Sequence, residues 1–253
     1  ALKLLLKEDI IPSSADKPLF ILAPFMIFIG AFISFIAIPF GDSIIIADLN
    51  IGLFYILGVG SIAVLSLILA GWASNNKWSL YGGMRSAAQI VSYEIPAGLS
   101  LIVVIMLAGT LNMQDIIAYQ AGGMFNWIIF DNPFVPITFV VYFISAIAET
   151  NRTPFDLPES ESELVAGFAT EYSGMRYAFF FLSEYANMFV VSAVAAAGFL
   201  GGWHSPIAGF MDSSAWGVFW MVSKTFFLIF VMIWLRWTLP RLRVDQLMNV
   251  CWK

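Results

Sequence analysis

Four ionisable residues lie inside apolar runs of the sequence or at the end of one. Glu94 stands in SYEIPAG, Glu184 in LSEYANM and Lys224 in WMVSKTFF, and Glu149 closes SAIAE. An ionisable side chain in hydrocarbon costs at least ~2.5–3.5 kcal/mol, so such residues are rare and mark ion or proton pathways. Because carboxylates accept and release protons, this set predicts a proton path. Its members within the apolar runs are Glu94, Glu184 and Lys224, and Glu149 marks the cytoplasmic end of the fourth run.

The positions of two of these carboxylates predict that they lie deep in a membrane. Glu94 follows Arg85 by nine residues, and Glu184 follows Arg176 by eight. At ~1.5 Å of rise per residue, both would lie ~12–13 Å from a charged helix end, near the middle of a ~30 Å hydrocarbon layer. Pro96 removes a backbone donor beside Glu94 and is expected to bend the helix. A bent helix leaves room for water, which carries protons.

A second interpretation stays open, in which Lys224 forms a structural ion pair with one of the glutamates. A charge buried in a protein is costly unless it is paired and hydrogen-bonded, and the two roles do not exclude each other. Asn187 follows Glu184 by three residues and so shares its helix face.

The composition predicts the elements that position these residues. Sixty per cent of the 253 residues are hydrophobic and 11% are charged, whereas a soluble domain carries roughly a quarter charged residues. Apolar runs near or above ~18 residues are typical of transmembrane helices. We predict an all-α, polytopic integral membrane protein with one membrane domain over 1–253. The six predicted spans are 18–40, 51–73, 86–110, 133–149, 177–201 and 215–239.

The counts of cysteine and histidine limit the chemistry of the chain itself. Cys251 is the one cysteine and His204 the one histidine. A cysteine-ligated cluster, a structural zinc site or a haem site needs more of these ligands, and an internal disulfide needs two cysteines. We therefore predict no metal site and no redox centre in this chain, so that any electrons are carried by a partner.

Lysine and arginine collect at alternate connections between the predicted spans. Eleven of the twelve lie there, the exception being Lys224. The basic segments are 1–17, 74–85, 150–176 and 236–253, whereas 41–50, 111–132 and 202–214 have neither residue type. By the positive-inside rule the basic segments face the cytoplasm or an equivalent compartment. Within them, Arg85 follows a predicted Gly82-Gly83 turn and is expected to anchor the third span or to face the 149–176 loop.

The loop after the fourth span is acidic. AETNRTPFDLPESESELVAGFATEYSGMR (148–176) carries six carboxylates. Ser160 and Glu163 fit a capping box, and an acidic first turn suits the helix dipole. Three further carboxylates have no evident local partner: Asp156, Glu161 and Glu171. Because apolar residues alternate with these charges, we predict that the loop is packed under another protein.

The block ETNRTPFDLPESESELVAGFATEYSGMRYAFFFLSEYANM resembles the diagnostic region of the H-subunit family (also numbered 1) of respiratory complex I, the NADH-quinone oxidoreductase. KEDIIPSSADK, YGGMRSAAQIVSYEIP, FLGGW and LRWTLPRLRVDQLM are similar to further blocks of that family in the expected order. Members have eight transmembrane helices, so the resemblance implies that the first and last are missing from this sequence.

The resemblance also implies a function. The chain would bind quinone as a substrate, with no covalently bound cofactor, and would couple quinone reduction to proton translocation in a bacterial plasma membrane or an organelle inner membrane. The 149–176 loop, on the cytoplasmic or matrix side, would form the floor of a quinone chamber. The residues assigned to that chamber are Asp156, Glu161, Glu163, Glu171, Arg85, Arg152 and Arg176. The resemblance also implies that the proton path from the chamber into the membrane includes Glu149 together with Glu94 and Glu184.

The partners implied by the resemblance are all proteins or lipid. Two peripheral-arm subunits, one carrying the terminal iron–sulfur cluster, would roof the chamber, and antiporter-like and small membrane subunits would adjoin the chain. No nucleic acid is expected. Two alternatives stay open. One is the membrane anchor of an energy-converting nickel–iron hydrogenase, and the other is a secondary transporter that binds its substrate at Glu94, Glu184 and Lys224.

Overall fold

The computed structural model of the protein describes residues 2–42, 44–156, 166–207, 213–240 and 246. Helices dominate the described ranges. They are α1 (Leu2–Leu5), α2 (Lys17–Ser34), α3 (Gly52–Ala73), α4 (Lys77–Ala108), α5 (Met113–Tyr119), α6 (Ile128–Asp131), α7 (Val135–Glu149), α8 (Gly174–Phe199) and α9 (Ser214–Thr238). Single 3-10 turns cover Phe35–Ala37, Met124–Asn126 and Gly167–Ala169.

Five of the helical regions are long and apolar enough to cross a membrane, and α7 is a shorter apolar helix. The five regions are Lys17–Ala37, Gly52–Ala73, Lys77–Ala108, Gly174–Phe199 and Ala215–Thr238. The described residues have no β-strand, only an isolated bridge between Gly41 and Ile44. The prediction of an all-α, polytopic membrane protein is therefore confirmed.

Helix α4 starts nine residues before the third predicted span, at Lys77 rather than at residue 86. The side chain of Asn76 accepts a 3.0 Å hydrogen bond from the backbone N–H of Trp78 and so caps the helix. The predicted turn at Gly82 and Gly83 is wrong, because both glycines lie inside α4. The helix also continues through Pro96 without interruption.

Gly82 and Gly83 allow the backbone of α4 to approach neighbouring backbone closely. A Cβ on Gly83 would lie 2.8 Å from the carbonyl oxygen of Leu67 in α3, and a Cβ on Gly82 would lie 2.6 Å from the Cα of Gly167. Real Cβ contacts are never this short. Small residues bring membrane helices together in this way. The glycine pair therefore fixes α4 against α3 on one side and against the 3-10 turn Gly167–Ala169 on the other.

Five helices form a ring, in the order α2, α3, α4, α7 and α8, in which each packs against the next and α8 closes onto α2. Helix α9 lies outside this ring and packs against α8. We call the end of the bundle that holds the starts of α2, α4 and α8 the basic face, because Lys17, Lys77 and Arg176 lie there. The end that holds α5 and α6 is the opposite face.

The opposite face is closed by apolar side chains of the connection between α4 and α7. Asn112 caps α5 by accepting a 2.8 Å hydrogen bond from the backbone N–H of Gln114. Met113, Ile116 and Ile117 are then fully buried against the ring. The short α5 is thus folded into the bundle, whereas its sequence, NMQDIIAY, predicts a short helix that lies along the surface.

Candidate functional site

The interior of the five-helix ring contains two adjoining cavities. The first, with a volume of about 40 Å³, is lined by Glu149 and Glu184 among others. The second, of about 30 Å³, is lined by Glu94 and again by Glu149. One water needs ≳10–15 Å³ measured in this way, so the cavities have room for roughly three and two waters. The ring thus brings three of the four predicted proton-path residues into one row, which we call the glutamate row: Glu184, Glu149 and Glu94.

Glu94 lies in the middle of α4 and receives a hydrogen bond from the neighbouring helix. The hydroxyl of Ser61 in α3 donates to Glu94 Oε1 at 2.6 Å. The charge of Glu94 also acts on Glu149, so the two carboxylates repel each other when both are ionised.

Glu149 is the last residue of α7 and links the two cavities. The side chain of Asn187 in α8 lies beside it, and Asn187 lines both cavities. On the α3 side, a Cβ added to Gly60 would come within 3.9 Å of Glu149 Oε1. A glycine there leaves the space beside the carboxylate open.

Glu184 forms the end of the row nearest the basic face, and its partner is an arginine. Arg152 Nη2 lies 3.6 Å from Glu184 Oε2, with only 8% and 13% of the two side chains exposed. The guanidinium also lies over the ring of Tyr185, 4.5 Å from its centroid. Among the described residues, the buried Nε and Nη2 of Arg152 have no hydrogen-bond partner. The distance identifies an ion pair that is too long for a hydrogen bond.

Gln89 holds the turn that carries Arg152, and it was missed from the sequence. Its Nε2 donates to the carbonyl oxygens of Ala148 at 2.8 Å and Phe155 at 2.7 Å, and it lies 3.2 Å from Asn151 Oδ1. The side chain is 7% exposed. The sequence did contain a signal for Gln89, because an amide side chain five residues before Glu94 is unusual within a predicted membrane helix. Ser61 was also missed from the sequence, because a serine in an apolar run is common and does not stand out.

Lys224, the fourth predicted member of the proton path, lies apart from the glutamate row. It lines neither cavity, and its ammonium binds backbone carbonyls that follow the end of α8 at the opposite face. The alternative in which Lys224 pairs with a row glutamate is therefore wrong for the part of the chain described, because Arg152 takes that position beside Glu184.

The carboxylates assigned to the quinone chamber are only partly described. Glu161 and Glu163, with the predicted capping box at Ser160, lie outside the described residues. Asp156 is half-buried, just after the turn held by Gln89. Glu171, which has no evident partner near it in the sequence, accepts at Oε1 a 2.7 Å hydrogen bond from Nδ2 of Asn76, the distant residue that caps α4.

The two remaining arginines bind other elements of the basic face. Arg176 Nη2 lies 3.1 Å from Asp9 Oδ2 in the segment before α2. Arg85 Nη2 donates to the Tyr81 hydroxyl at 3.3 Å, and its guanidinium lies 4.5 Å from the centroid of that ring. Of the three arginines assigned to the chamber from the sequence, Arg152 is paired with Glu184 of the glutamate row.

An aromatic group fastens the end of the acidic loop to α2. Tyr172 stacks on Phe20 with centroids 4.1 Å apart and meets Phe180 edge-on at 5.0 Å. Burial raises the pKa of the Tyr172 hydroxyl, against a smaller opposing effect of the positive charge on Arg176. Tyr172 is therefore neutral at physiological pH and serves as a packing element.

The described residues contain no group of three or more histidine, cysteine or carboxylate side chains that could hold a metal ion. The polar groups in and beside the two water-sized cavities are carboxylates, an arginine, amides and hydroxyls. Such groups hold and relay protons.

These features define a class: an all-α integral membrane protein with an intramembrane row of carboxylates that leads to a basic face. Residues 1–253 match the NADH dehydrogenase family. The whole chain is 57% identical to 73% of the NADH-quinone oxidoreductase H-subunit of Chlorobaculum tepidum, and 52% identical to 73% of that of a Geobacillus strain. It is 50% identical to 65% of that of Anaeromyxobacter dehalogenans. The chain belongs to the H-subunit family of NADH-quinone oxidoreductase.

Proposed function

We propose that this chain is the membrane subunit of a proton-translocating NADH-quinone oxidoreductase that forms the floor of the quinone chamber and receives protons from it. The observation that carries the proposal is the glutamate row, which begins at the ion pair of Arg152 with Glu184 beside the 149–176 loop. The names of the relatives favour this function over a hydrogenase anchor or a secondary transporter.

The chemistry of the substrate explains why a chamber floor would be charged. Reduction of a quinone to a quinol takes two electrons and two protons. The electrons would come from an iron–sulfur cluster in a peripheral-arm partner, since the family assigns none to this chain. Each electron places negative charge beside the loop, which favours protonation of nearby carboxylates. The chamber residues proposed on this chain are Asp156, Glu161, Glu163, Glu171, Arg85, Arg152 and Arg176.

The Arg152–Glu184 pair would link the chamber to the row. While Glu184 is ionised, it neutralises the buried guanidinium. When Glu184 takes up a proton, Arg152 loses that partner, and a buried unpaired charge is costly. The guanidinium is then drawn toward the negative charge that develops at the quinone. A change of charge in the chamber is in this way coupled to the protonation state of the row.

The cavities would carry the proton onward. Waters at the volumes observed would join Glu184 to Glu149 and Glu149 to Glu94. Since the charge of Glu94 repels that of Glu149, a proton that arrives at one carboxylate removes the repulsion that acts on the other. From the row, the displaced charge would reach neighbouring antiporter-like and small membrane subunits. The basic face would then point to the cytoplasm or matrix.

The test uses the intact complex with Glu184→Gln in this chain, reconstituted into vesicles. The glutamine keeps the shape of the side chain but takes up no proton, so we expect assembly with a marked loss of quinone-coupled proton transfer. The matched control is Glu8→Gln, the same change at an exposed carboxylate outside the row. An assembled Glu184→Gln complex that pumps like the control would remove Glu184 from the path.

A further inference from the structure

Lys224 is bound in a cage of backbone carbonyl oxygens. Its Nζ donates to Leu200 O at 2.6 Å, to His204 O at 2.7 Å and to Gly202 O at 2.9 Å. The residue lies ten positions into α9, but a helical side chain points toward the start of its helix. A long lysine stem therefore reaches back to the opposite face, where the carbonyls at the end of α8 lie.

The geometry of the cage fits an ammonium ion. Three carbonyls use the three N–H donors of a protonated lysine, whereas a neutral amine has only two. The indole ring of Trp127 adds a fourth contact, 4.2 Å from Nζ to its centroid, and an aromatic face attracts a cation. The negative end of the α8 dipole also favours a positive charge here. Lys224 is 9% exposed, so the cage encloses its ammonium almost completely.

A second polar residue closes the same region. Gln120 is fully buried, and its Nε2 donates to Ala197 O at 2.8 Å. Its Oε1 accepts from the backbone N–H of Gly201 at 2.9 Å and from that of Ile128 at 3.3 Å. One amide thereby ties the end of α8 to the connection that carries Trp127.

The cage lies at the end of the bundle toward which the glutamate row points but does not reach. The second cavity, which contains Glu94, is bounded by Leu53, Leu101 and Val194. Fully buried Ile117 and Phe199 fill the core toward the opposite face. Protons in the row therefore meet first an apolar layer and then a fixed positive charge.

We infer that Lys224 is an electrostatic seal, which keeps protons of the glutamate row from leaving through the opposite face of this chain. A fixed positive charge raises the barrier to protons and cations in a channel, and here it would add to the barrier that the apolar layer presents. Protons that enter the row from the basic face must then leave sideways, toward neighbouring membrane subunits. This inference rests on the proposed function in taking the row to be a proton conduit.

The experiment measures passive proton leak through the intact complex in vesicles under an imposed pH gradient, without quinone or donor. Lys224→Met keeps the apolar stem and removes the charge, so we expect a leak several-fold above that of the native complex. Lys224→Arg keeps a cation of similar reach and is expected to leak less than Lys224→Met. Native-like tightness of an assembled Lys224→Met complex would overturn the inference.

A packing variant separates charge from loosened structure. Gln120→Leu breaks the amide ties without changing charge, and assembly of each variant is checked by the subunit content of the purified complex. A larger leak in Lys224→Met than in Gln120→Leu supports the inference that the charge of Lys224 blocks protons. Equal leaks in the two variants would overturn it, because loosening would then explain both.

A double variant connects the leak to the row. If protons escape from Glu94, then adding Glu94→Gln to Lys224→Met is expected to reduce the leak. A leak that persists would contradict the assignment of the row as its source. The failure of the proposed function has a different signature, namely normal quinone-coupled pumping by the Glu184→Gln complex, and it is measured in a separate assay.

Discussion

The side-chain amide of Gln89 donates a 2.7 Å hydrogen bond to the carbonyl oxygen of Phe155, 66 residues further along the chain. A second bond at 2.8 Å joins the same nitrogen to the carbonyl of Ala148. One α4 side chain thus spans the turn that leaves α7. Because Arg152 lies within this turn, Gln89 fixes the position of the guanidinium beside Glu184.

Replacing Gln89 is therefore expected to disturb the site through Arg152. Gln89→Leu fills a similar volume but takes the Gln89 donor away from the buried Phe155 carbonyl, at a cost of about 1–3 kcal/mol for a buried group left unsatisfied. The Ala148 carbonyl keeps the backbone N–H of Asn151 at 3.2 Å. We expect quinone-coupled proton transfer by the intact complex to fall. Gln114→Leu, the same change at a half-buried position of α5, is the control. Equal activity of the two variants would show that the turn holds Arg152 without Gln89.

The Arg152–Glu184 pair predicts a strong coupling in a double-mutant cycle. Breaking a buried pair by removing one partner costs about 3–5 kcal/mol, since the remaining charge is uncompensated. We expect Arg152→Met to lower the thermal denaturation midpoint of the complex, and Arg152→Met with Glu184→Gln to restore part of the loss. Additive losses in the double variant would contradict the pairing.

Arg176 provides the comparison for that cycle. Its partner Asp9 has 42% of its side chain exposed, and exposed ion pairs contribute only about 0–1 kcal/mol. Arg176→Met is therefore expected to destabilise the complex less than Arg152→Met. The reverse order would mean that Arg176 has a role beyond its contact with Asp9.

The apolar runs predicted the fold class because the bilayer allows few structures for such a run. A chain that crosses hydrocarbon must satisfy its backbone groups internally, which favours helices wherever an apolar run is long enough. The same patterning could not predict where α4 begins. Its first turns lie outside the apolar run, and its start is fixed by the side-chain cap of Asn76.

The sequence predicted a residue of the site only where an ionisable side chain lies in an apolar run, because burying its charge in hydrocarbon costs free energy. Glu94, Glu149 and Glu184 stood out for that reason, and the ring brings them together. The partner of Glu184 was not predictable, because Lys224 and Arg152 are both cations at plausible distances along the chain. The choice depends on which helix faces which, and the turn after α7 brings Arg152 to Glu184 in α8.

The close contact between Gly82 and Gly167 allows a steric test of how α4 holds the end of the acidic loop. A Cβ on Gly82 would lie 2.6 Å from the Cα of Gly167, so alanine must push the 3-10 turn Gly167–Ala169 away from α4. Glu171 follows this turn and would move with it. We expect Gly82→Ala to lower quinone reductase activity and the thermal denaturation midpoint.

Gly98 supplies the matched control in the same helix. A Cβ there meets nothing within 4 Å, and alanine in a helix interior is favoured over glycine by roughly 0.5–1 kcal/mol. We expect Gly98→Ala to keep full activity and to raise the denaturation midpoint slightly. Loss of activity in both variants would point to a general intolerance of α4 and not to contact with the loop.

We expect the loss of a tyrosine hydroxyl to change stability differently at two positions. Tyr142 donates a 3.0 Å hydrogen bond to the carbonyl of Val191, so Tyr142→Phe is expected to cost about 0.5–1.5 kcal/mol. The buried Tyr172 hydroxyl has no hydrogen-bond partner among the described residues. Tyr172→Phe is therefore expected to leave stability unchanged or to raise it.

The raised pKa of Tyr172 adds a dependence on pH. Because the folded state keeps this proton at a pH where the unfolded chain has lost it, stability is fully present below the ordinary tyrosine pKa of about 10 and falls as pH rises above it. We expect the native complex to lose stability more steeply above pH ~10 than Tyr172→Phe does. The measurement is the denaturation midpoint of both complexes from pH ~7 to pH ~11. Parallel curves would show that Tyr172 ionises equally in both states and is less buried than its stacking on Phe20 implies.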